Sequence, residues 1–421
     1  MKPDDREKLL RKIEQNRDKA IELLRKMISI PSVTGDEAAI QKYLASYLEN
    51  IGLDVDLWET DWDELKKHPG YRPVQRGYEG RPNLVATLKG VGGGRSLLLN
   101  GHADVIPVGE GWSDDPWSAT VREGRMYGRG SADMKSGVAS HIVAVELIKA
   151  AGFKLKGDVL VNVVVDEEVS GHGTLDTVIR GYRADAGISG ETSDLAVQPA
   201  CIGRIWFEIS IPGKAAGIQR RYEGVSGIDL GNKIVKAVQA LEDRRVATVS
   251  HPLYPNALDA LPCMIGAFSA GNYPSSFPDS CLLKGSIATL PGEDHEGVKQ
   301  SLVDQVAMAA ASDPWMNDHP PSVRFVGYDA QASEIPEDHP IVRTVMNSYR
   351  EVVGRDPQVS GRQGAADTRF LNLYAHTPTV IFGPGSTSVM HATDEYVSID
   401  DYITAIKVVA LSICDWVGRS D

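Results

Sequence analysis

Apolar residues at Leu9, Leu10, Ile13, Ile21, Leu24 and Ile28 recur at near-helical spacing, which predicts one long amphipathic helix from the start of the chain to about Pro31. Asp36 then reads as the cap of a second helix, with Ile40, Leu44, Leu48 and Ile51 on one face and Gly52 as its stop; a strand follows over Leu53–Trp58. From Asn83 the apolar runs shorten to strand length: NLVATL, SLLLNG, DVLVNVVV, ADAGIS and, far downstream, TPTVIF. Several are unbroken Val, Leu and Ile, as in a sheet covered on both faces, and Gly137–Ala151, Leu175–Arg180 and Asp401–Trp416 are the candidate covering helices. Between about Gly203 and Gly327 the order changes to a strand RIWFEISIPG, a helix Gly231–Leu241, strands at Met264–Phe268 and Cys281–Thr289, a helix His295–Ala311, and VRFVG. That βαββαβ order is self-contained. It predicts an α/β domain, with a mixed, mostly parallel sheet sandwiched by helices, built from residues 1–202 and 330–421 and interrupted by an α+β ferredoxin-like domain over 203–329. The stretch 62–81, polar, aromatic and punctuated by Pro and Gly, reads as a functional or packing loop rather than a linker.

Length and composition agree with two domains: 421 residues at 42% hydrophobic content exceed one simple core. The opening segment is charged on every turn, with neither a signal-peptide apolar region nor a membrane-spanning run, so a soluble cytoplasmic protein is expected. Cys201, Cys263, Cys281 and Cys414 lie far apart without CxxC spacing, which argues for buried thiols over disulfides or a thiolate metal site. A net charge of −13 disfavours nucleic acid or an anionic membrane as partner and reads as solubility; a small-molecule substrate is the expected partner.

Four of the apolar runs lead into a metal-competent residue: SLLLNG into His102, DVLVNVVV into Asp166-Glu167-Glu168, ADAGIS into Glu191 and TPTVIF, after a Gly-rich loop, into His391. Asp133, at the opening of a helix, is a fifth candidate. In open α/β sheets the binding crevice lies outside the carboxyl ends of the strands, so these distant residues are expected to converge. Two histidines and three carboxylates make a mixed nitrogen and oxygen site suited to zinc, manganese or cobalt. Two ions sharing one carboxylate would each keep one His and one terminal carboxylate, with a water between them acidified toward pKa ~7. Asp104, two residues after His102 and on the same face of an extended backbone, is placed to accept the second imidazole N–H. Of the adjacent acids Glu167 and Glu168, one can ligate while the other acts as base.

The motifs NGHADVIPVGEGW, YGRGSADMKSG, VDEEVSGHG, SGETSD, RRYEGVSGI, ADTRFL and FGPGSTSVMHATDEYV together resemble the aminoacylase, acetylornithine deacetylase, succinyl-diaminopimelate desuccinylase and glutamate carboxypeptidase group of dinuclear metallopeptidases, almost end to end. The resemblance implies that His102 and Glu191 hold one metal, Glu168 and His391 the other, that Asp133 bridges, that Glu167 is general base and acid, and that Asp104 orients His102. It also implies that the inserted domain is a lid and a homodimer or higher-oligomer surface, and that the reaction is hydrolysis of a carbon–nitrogen bond in an N-acyl amino acid or similar small carboxylate.

Two positions depart from that pattern. Relatives carry a His, donor to the developing oxyanion, where GKAAGIQRRYEG has Gly217, and many have an Arg where GSIATLPGE has Ala288. Either Arg220 or Arg221 supplies the missing donor, or the substrate has no acyl oxyanion, as for an aminohydrolase that expels ammonia from an activated aromatic amine such as 5-nitroanthranilate. A third reading, a homologue that binds without catalysis, predicts damaged ligands, and the ligand positions are intact. Arg369 reads equally as a carboxylate-binding fork or as an internal salt bridge, and Asn272 completes the substrate-binding candidates. For His172 a loop hydrogen bond is the expected role.

Overall fold

The computed structural model describes residues 1–420, and the chain divides into two compact units. The first comprises Met1–Ala200, Glu334–Arg362 and the chain from Ala366 on. The six strand-length runs become Asp54–Trp58 (β1), Asn83–Leu88 (β2), Leu97–His102 (β3), Val159–Val164 (β4), Ala186–Ser189 (β5) and Thr379–Ile381 (β9), and three strands the apolar pattern did not mark join them, Val197–Cys201 (β6), Ser333–Glu334 (β7) and Val359–Arg362 (β8). They form one sheet in the order β1-β2-β4-β3-β5-β9-β6-β7, with β8 added on β6. β3 is parallel to β4 and β5, and β5 to β9; the flanking pairs β1–β2, β2–β4 and β9–β6 are antiparallel. Every residue of β3, β4 and β5 is buried, as unbroken aliphatic runs require.

The helix Ser136–Ala150 is buried from Ser136 to Ile148 and packs on Ile399–Val417. Its apolar residues are spread around the circumference rather than along one stripe, as in a helix buried through most of its length. Its first turn passes the end of β5 at backbone contact: a Cβ on Gly137 would lie 1.9 Å from the Gly190 carbonyl oxygen. Only glycine fits there, and the crossing brings the Asp133 segment against the residues that follow β5.

Two helix readings need correction. The predicted single N-terminal helix is two, Pro3–Gln15 and Arg17–Ile28. The break is at Asn16, which leaves helical backbone (φ −109°, ψ 18°) and donates its side-chain amide to the Lys12 carbonyl at 2.8 Å, the local competition by which Asn interrupts helices. Asp36 does not cap the next helix, Ala38–Asn50; it pairs with Arg76 at 2.7 Å, while Glu37 holds the cap position and turns inward to Arg81.

The second unit comprises Cys201–Ser333 and takes in Gln363–Ala365, so the 203–329 boundaries fall inside it. Its four strands lie in the order Cys263–Ser269, Ser280–Thr289, Gly203–Pro212, Ser322–Ala330, all antiparallel. With the helices Gly227–Thr248 and His295–Ala311 this is the ferredoxin-like arrangement. Ile205, Phe207, Ile209 and Ile211 alternate into a core of their own beneath the helices. The four cysteines are buried and unbridged. Among the described residues no helix is long and apolar enough to cross a membrane.

Candidate metal centre

Because β3, β4, β5 and β9 are parallel neighbours, their carboxyl ends share one edge of the sheet. β3 delivers His102 as its last residue; the turns after β4 and β5 deliver Glu167, Glu168 and Glu191; the loop after β9 delivers His391. Asp133 comes from the irregular turn Ser131–Lys135 ahead of the buried helix. Asp166 and His391 hold left-handed backbone (φ 68° and 63°) without being glycine. Such strain persists where surrounding structure enforces it, as at functional sites.

These residues form two groups, His102–Asp133–Glu191 and Asp133–Glu168–His391, whose ligand atoms within each group lie within 4.8 Å of one another. Asp133 belongs to both through different oxygens: Oδ1 is 3.2 Å from His102 Nε2, and Oδ2 is 3.2 Å from His391 Nε2. Glu191 Oε1 stands 3.5 Å from His102 Nε2, and Glu168 Oε2 stands 3.0 Å from His391 Nε2. The fit to two divalent ions rests on this split, one imidazole and one terminal carboxylate on each side of a shared carboxylate, all of it nitrogen and oxygen. His391, with its side chain 44% exposed, opens its half to solvent, whereas His102 is 1% exposed.

Burial and like charge govern the protonation of the acids. Burial, reinforced by the charges of Glu191 and Asp367, holds the Glu167 carboxyl well above the usual carboxylate range. Burial together with Asp133 pushes Glu168 up to about 7. His391 is raised to about 10 by its hydrogen bonds to Asp133 and then Glu168. For His102, burial works against the charged form, but the carboxylates of Asp104, Asp133 and Glu191 outweigh it and hold the ring well above its ordinary value. So many desolvated carboxylates at one point call for cations.

The surrounding residues fix this geometry. His102 Nδ1 meets the Asp104 backbone carbonyl at 2.9 Å and the Asp104 carboxylate at 3.5 Å, so Asp104 orients the ring more closely through its carbonyl than through the side chain the sequence suggested. The carboxylate is drawn instead to the N–H groups of Glu167 (3.1 Å) and Glu168 (3.3 Å) and to the Thr34 hydroxyl (2.8 Å), tying the β3 and β4 turns together. Glu395 accepts from the backbone N–H of Asp133, Ala132 and Gly130 and from Arg129, and so secures the Asp133 turn from the loop that carries His391. Arg362 donates to Glu191 Oε2 at 2.9 Å, leaving Oε1 toward His102. Neither Glu395 nor Arg362 was singled out from the sequence.

His172 makes the expected loop hydrogen bonds. Its Nε2 accepts the Arg72 N–H at 3.1 Å, and its Nδ1 lies 2.8 Å from Tyr78 Oη, which donates to Asp166 at 2.6 Å. Burial drops its pKa to about 3, so the ring is neutral. The segment 62–81 is thereby a packing loop, with Trp62, Tyr71, Val74 and Tyr78 set against Val165, Leu175 and Phe370. Arg369 is 3% exposed; it donates to the Ser170 carbonyl at 2.7 Å and lies 3.7 Å from the Asp367 carboxylate, the internal ion pair that was one of its two readings. Asp367, buried beside it, is pushed up to about 7 chiefly by burial.

In the second unit, Arg220 and Arg221 are exposed on the short helix Ile218–Glu223, with Arg220 paired to Glu223 at 2.5 Å, and Asn272 is exposed in a turn. Gly217 ends the strand Ala216–Gly217 and presents no side chain.

Residues 98–415 match the family described as peptidase family M20/M25/M40. An N-formyl-4-amino-5-aminomethyl-2-methylpyrimidine deformylase of Bacillus subtilis (strain 168) is 30% identical over 437 residues, covering 98% of this chain and 97% of its own. An acetylornithine deacetylase of Proteus mirabilis is 28% identical over 393 residues, covering 90% and 92%. Among solved structures, an M20 family metallo-carboxypeptidase from Sulfolobus solfataricus superposes with a TM-score of 0.74 at 18% identity, covering 94% of this chain and 98% of that one.

Proposed function

The chain belongs to peptidase family M20/M25/M40, and from that premise we propose that it is a two-metal amidohydrolase that removes an acyl group from nitrogen in a small, carboxylate-bearing molecule. The observation that carries this reading is the pair of three-residue ligand groups sharing Asp133, with the buried Glu167 beside them and in neither group.

His102, Glu191 and Asp133 would hold one ion and Asp133, Glu168 and His391 the other. Two divalent ions of the zinc, manganese or cobalt kind would supply Lewis acidity toward the acyl oxygen and the attacking water. Glu167, held by its N–H on Asp104, takes the proton of the attacking water and returns it to the departing nitrogen. Burial raises the proton affinity of this carboxyl, which suits a group that takes and returns a proton. Asp104 keeps the His102 ring turned with Nε2 toward the ligand cluster. The second unit, in this reading, is the lid and subunit contact, with Arg220, Arg221 and Asn272 as substrate contacts.

The deformylase and the deacetylase, alike along nearly their whole lengths, both carry names for removal of an acyl group from nitrogen. Gly217 favours a second reading, release of ammonia from an activated aromatic amine, because that reaction needs no donor to an acyl oxyanion.

Parallel assays of formate, acetate and ammonia release over N-formyl amines, N-acetyl amino acids, dipeptides and aminobenzoates separate the two. Acyl release that disappears on chelation and returns with manganese or zinc is the expected outcome. Ammonia release from an aminobenzoate alone would sink the deacylase reading.

A further inference from the structure

Asp166 is the residue before Glu167, and its left-handed backbone (φ 68°) turns the chain just past the end of β4. A residue other than glycine keeps that conformation only where its surroundings over-determine it. Two sets of contacts do so here. The Asp166 carbonyl accepts the N–H groups of Ser170 and Gly171 at 3.0 and 2.8 Å, which closes the turn on itself. The Asp166 carboxylate accepts from the Ser170 hydroxyl and from two residues of a remote segment, Tyr78 Oη at 2.6 Å and Arg81 Nη2 at 2.9 Å.

Arg81 is itself held. Its Nε and Nη2 reach the two oxygens of Glu37 at 2.7 and 2.6 Å, and its Nη1 donates to the Gly77 carbonyl at 3.1 Å. Glu37 occupies the cap position of the helix Ala38–Asn50 and accepts the Gly35 N–H at 2.9 Å. A continuous chain of hydrogen bonds therefore runs from the start of that helix, through Arg81, to the residue before Glu167, and Glu37, Tyr78, Arg81 and Asp166 are all buried. Packing does not call for it. Apolar side chains of similar volume in place of a buried ion triad are often neutral or stabilising, and Trp62, Tyr71, Val74 and the Tyr78 ring already seat the segment. What the charged chain adds is a fixed place for the carboxylate at its end.

We propose that Tyr78 and Arg81 are positioning residues for Glu167, so that the segment 62–81 sets the placement of the acid–base group as well as filling space; this rests on the role given to Glu167 above. Asp104 holds the turn on one side of Asp166, through the N–H groups of Glu167 and Glu168. Tyr78 and Arg81 hold Asp166 itself. With either hold removed, the turn can relax toward commoner backbone and carry the Glu167 side chain with it.

Amide hydrogen exchange on the metal-free full-length chain, read by mass spectrometry, follows this turn without turnover. Tyr78→Phe keeps the ring and removes one donor, and exchange over residues 165–171 should quicken by about 10-fold, the effect of losing one hydrogen bond to a charged group, while β3 keeps its rate. Arg81→Lys keeps the charge but not the fork that spans Glu37 and Asp166, and should act in the same direction. Val74→Ala loosens the packing without touching a donor to Asp166, and should quicken the segment 62–81 alone. Unchanged exchange over 165–171 in Tyr78→Phe, or an equal quickening there in Val74→Ala, overturns the proposal. With the metal-loaded chain, Tyr78→Phe should lower kcat by about 10–100-fold at constant KM and cause no further loss in a Glu167→Gln background, where the residue it positions can no longer act. The same fall in both backgrounds also overturns the proposal. Failure of the unmodified chain to release any acyl group counts against the deacylase reading alone, because the exchange comparison still decides whether Tyr78 and Arg81 hold the Glu167 turn.

Discussion

Glu167→Gln lowers kcat by about 10²–10⁴-fold, the usual contribution of a positioned acid–base group, and leaves the metal content unchanged. Both halves follow from position. Glu167 lies in neither ligand group, and its backbone N–H, not its side chain, is what Asp104 holds. Gln preserves the volume and the backbone contact but cannot accept and return a proton. Kinetics on the released acid, together with metal analysis of the purified variant, check both halves. A variant that keeps most of its turnover removes Glu167 from the chemistry, and one that loses metal makes it a ligand.

Asp133→Ala reduces the bound metal from two equivalents to less than one, because each group then retains only two of its three residues. His391→Ala, by contrast, keeps His102, Asp133 and Glu191 whole and should hold about one equivalent. Thermal unfolding reports the same difference. Metal bound at about 1,000 times its Kd stabilises a protein by about 4 kcal/mol, so the rise in Tm on adding metal should vanish in Asp133→Ala and survive in part in His391→Ala. Two equivalents retained by Asp133→Ala would show that this carboxylate is not shared.

The convergence of these residues was legible in the sequence because three of the strands that bear them are buried on both faces. Such strands are written as unbroken Val, Leu and Ile, and a titratable residue placed immediately after one stands out. The residues that hold this cluster in place were not legible. Glu395 acts on the Asp133 N–H from 262 positions away through backbone hydrogen bonds, which leave no periodic trace. Arg362 meets Glu191 across 171 positions side chain to side chain, a contact that spacing does not encode. Asp104 was recognised as the partner of His102, yet the balance between its carbonyl and its carboxylate depends on the turn after β4, which spacing does not encode.

The corrections have the same origin. A near-helical apolar period runs through Asn16, and only the side chain's bond to the Lys12 carbonyl shows why the helix divides there. Asp36 has the residue type of a cap, but a partner 40 positions on, Arg76, takes it. At Arg369 the ion pair to Asp367 is local, whereas the bond to the Ser170 carbonyl joins segments 199 positions apart. The second domain was readable as a unit because its βαββαβ order is local, while its recruitment of Gln363–Ala365 from a remote segment was not.

The central claim is that one carboxylate joins two metal-binding groups at the carboxyl edge of the sheet. Anomalous diffraction at the zinc edge from crystals of the zinc-loaded chain tests it most directly. The account predicts two peaks roughly 3.5–4 Å apart, one against His102 and Glu191, the other against Glu168 and His391, with an oxygen of Asp133 on each. A single peak, or two peaks of which only one touches Asp133, would contradict it.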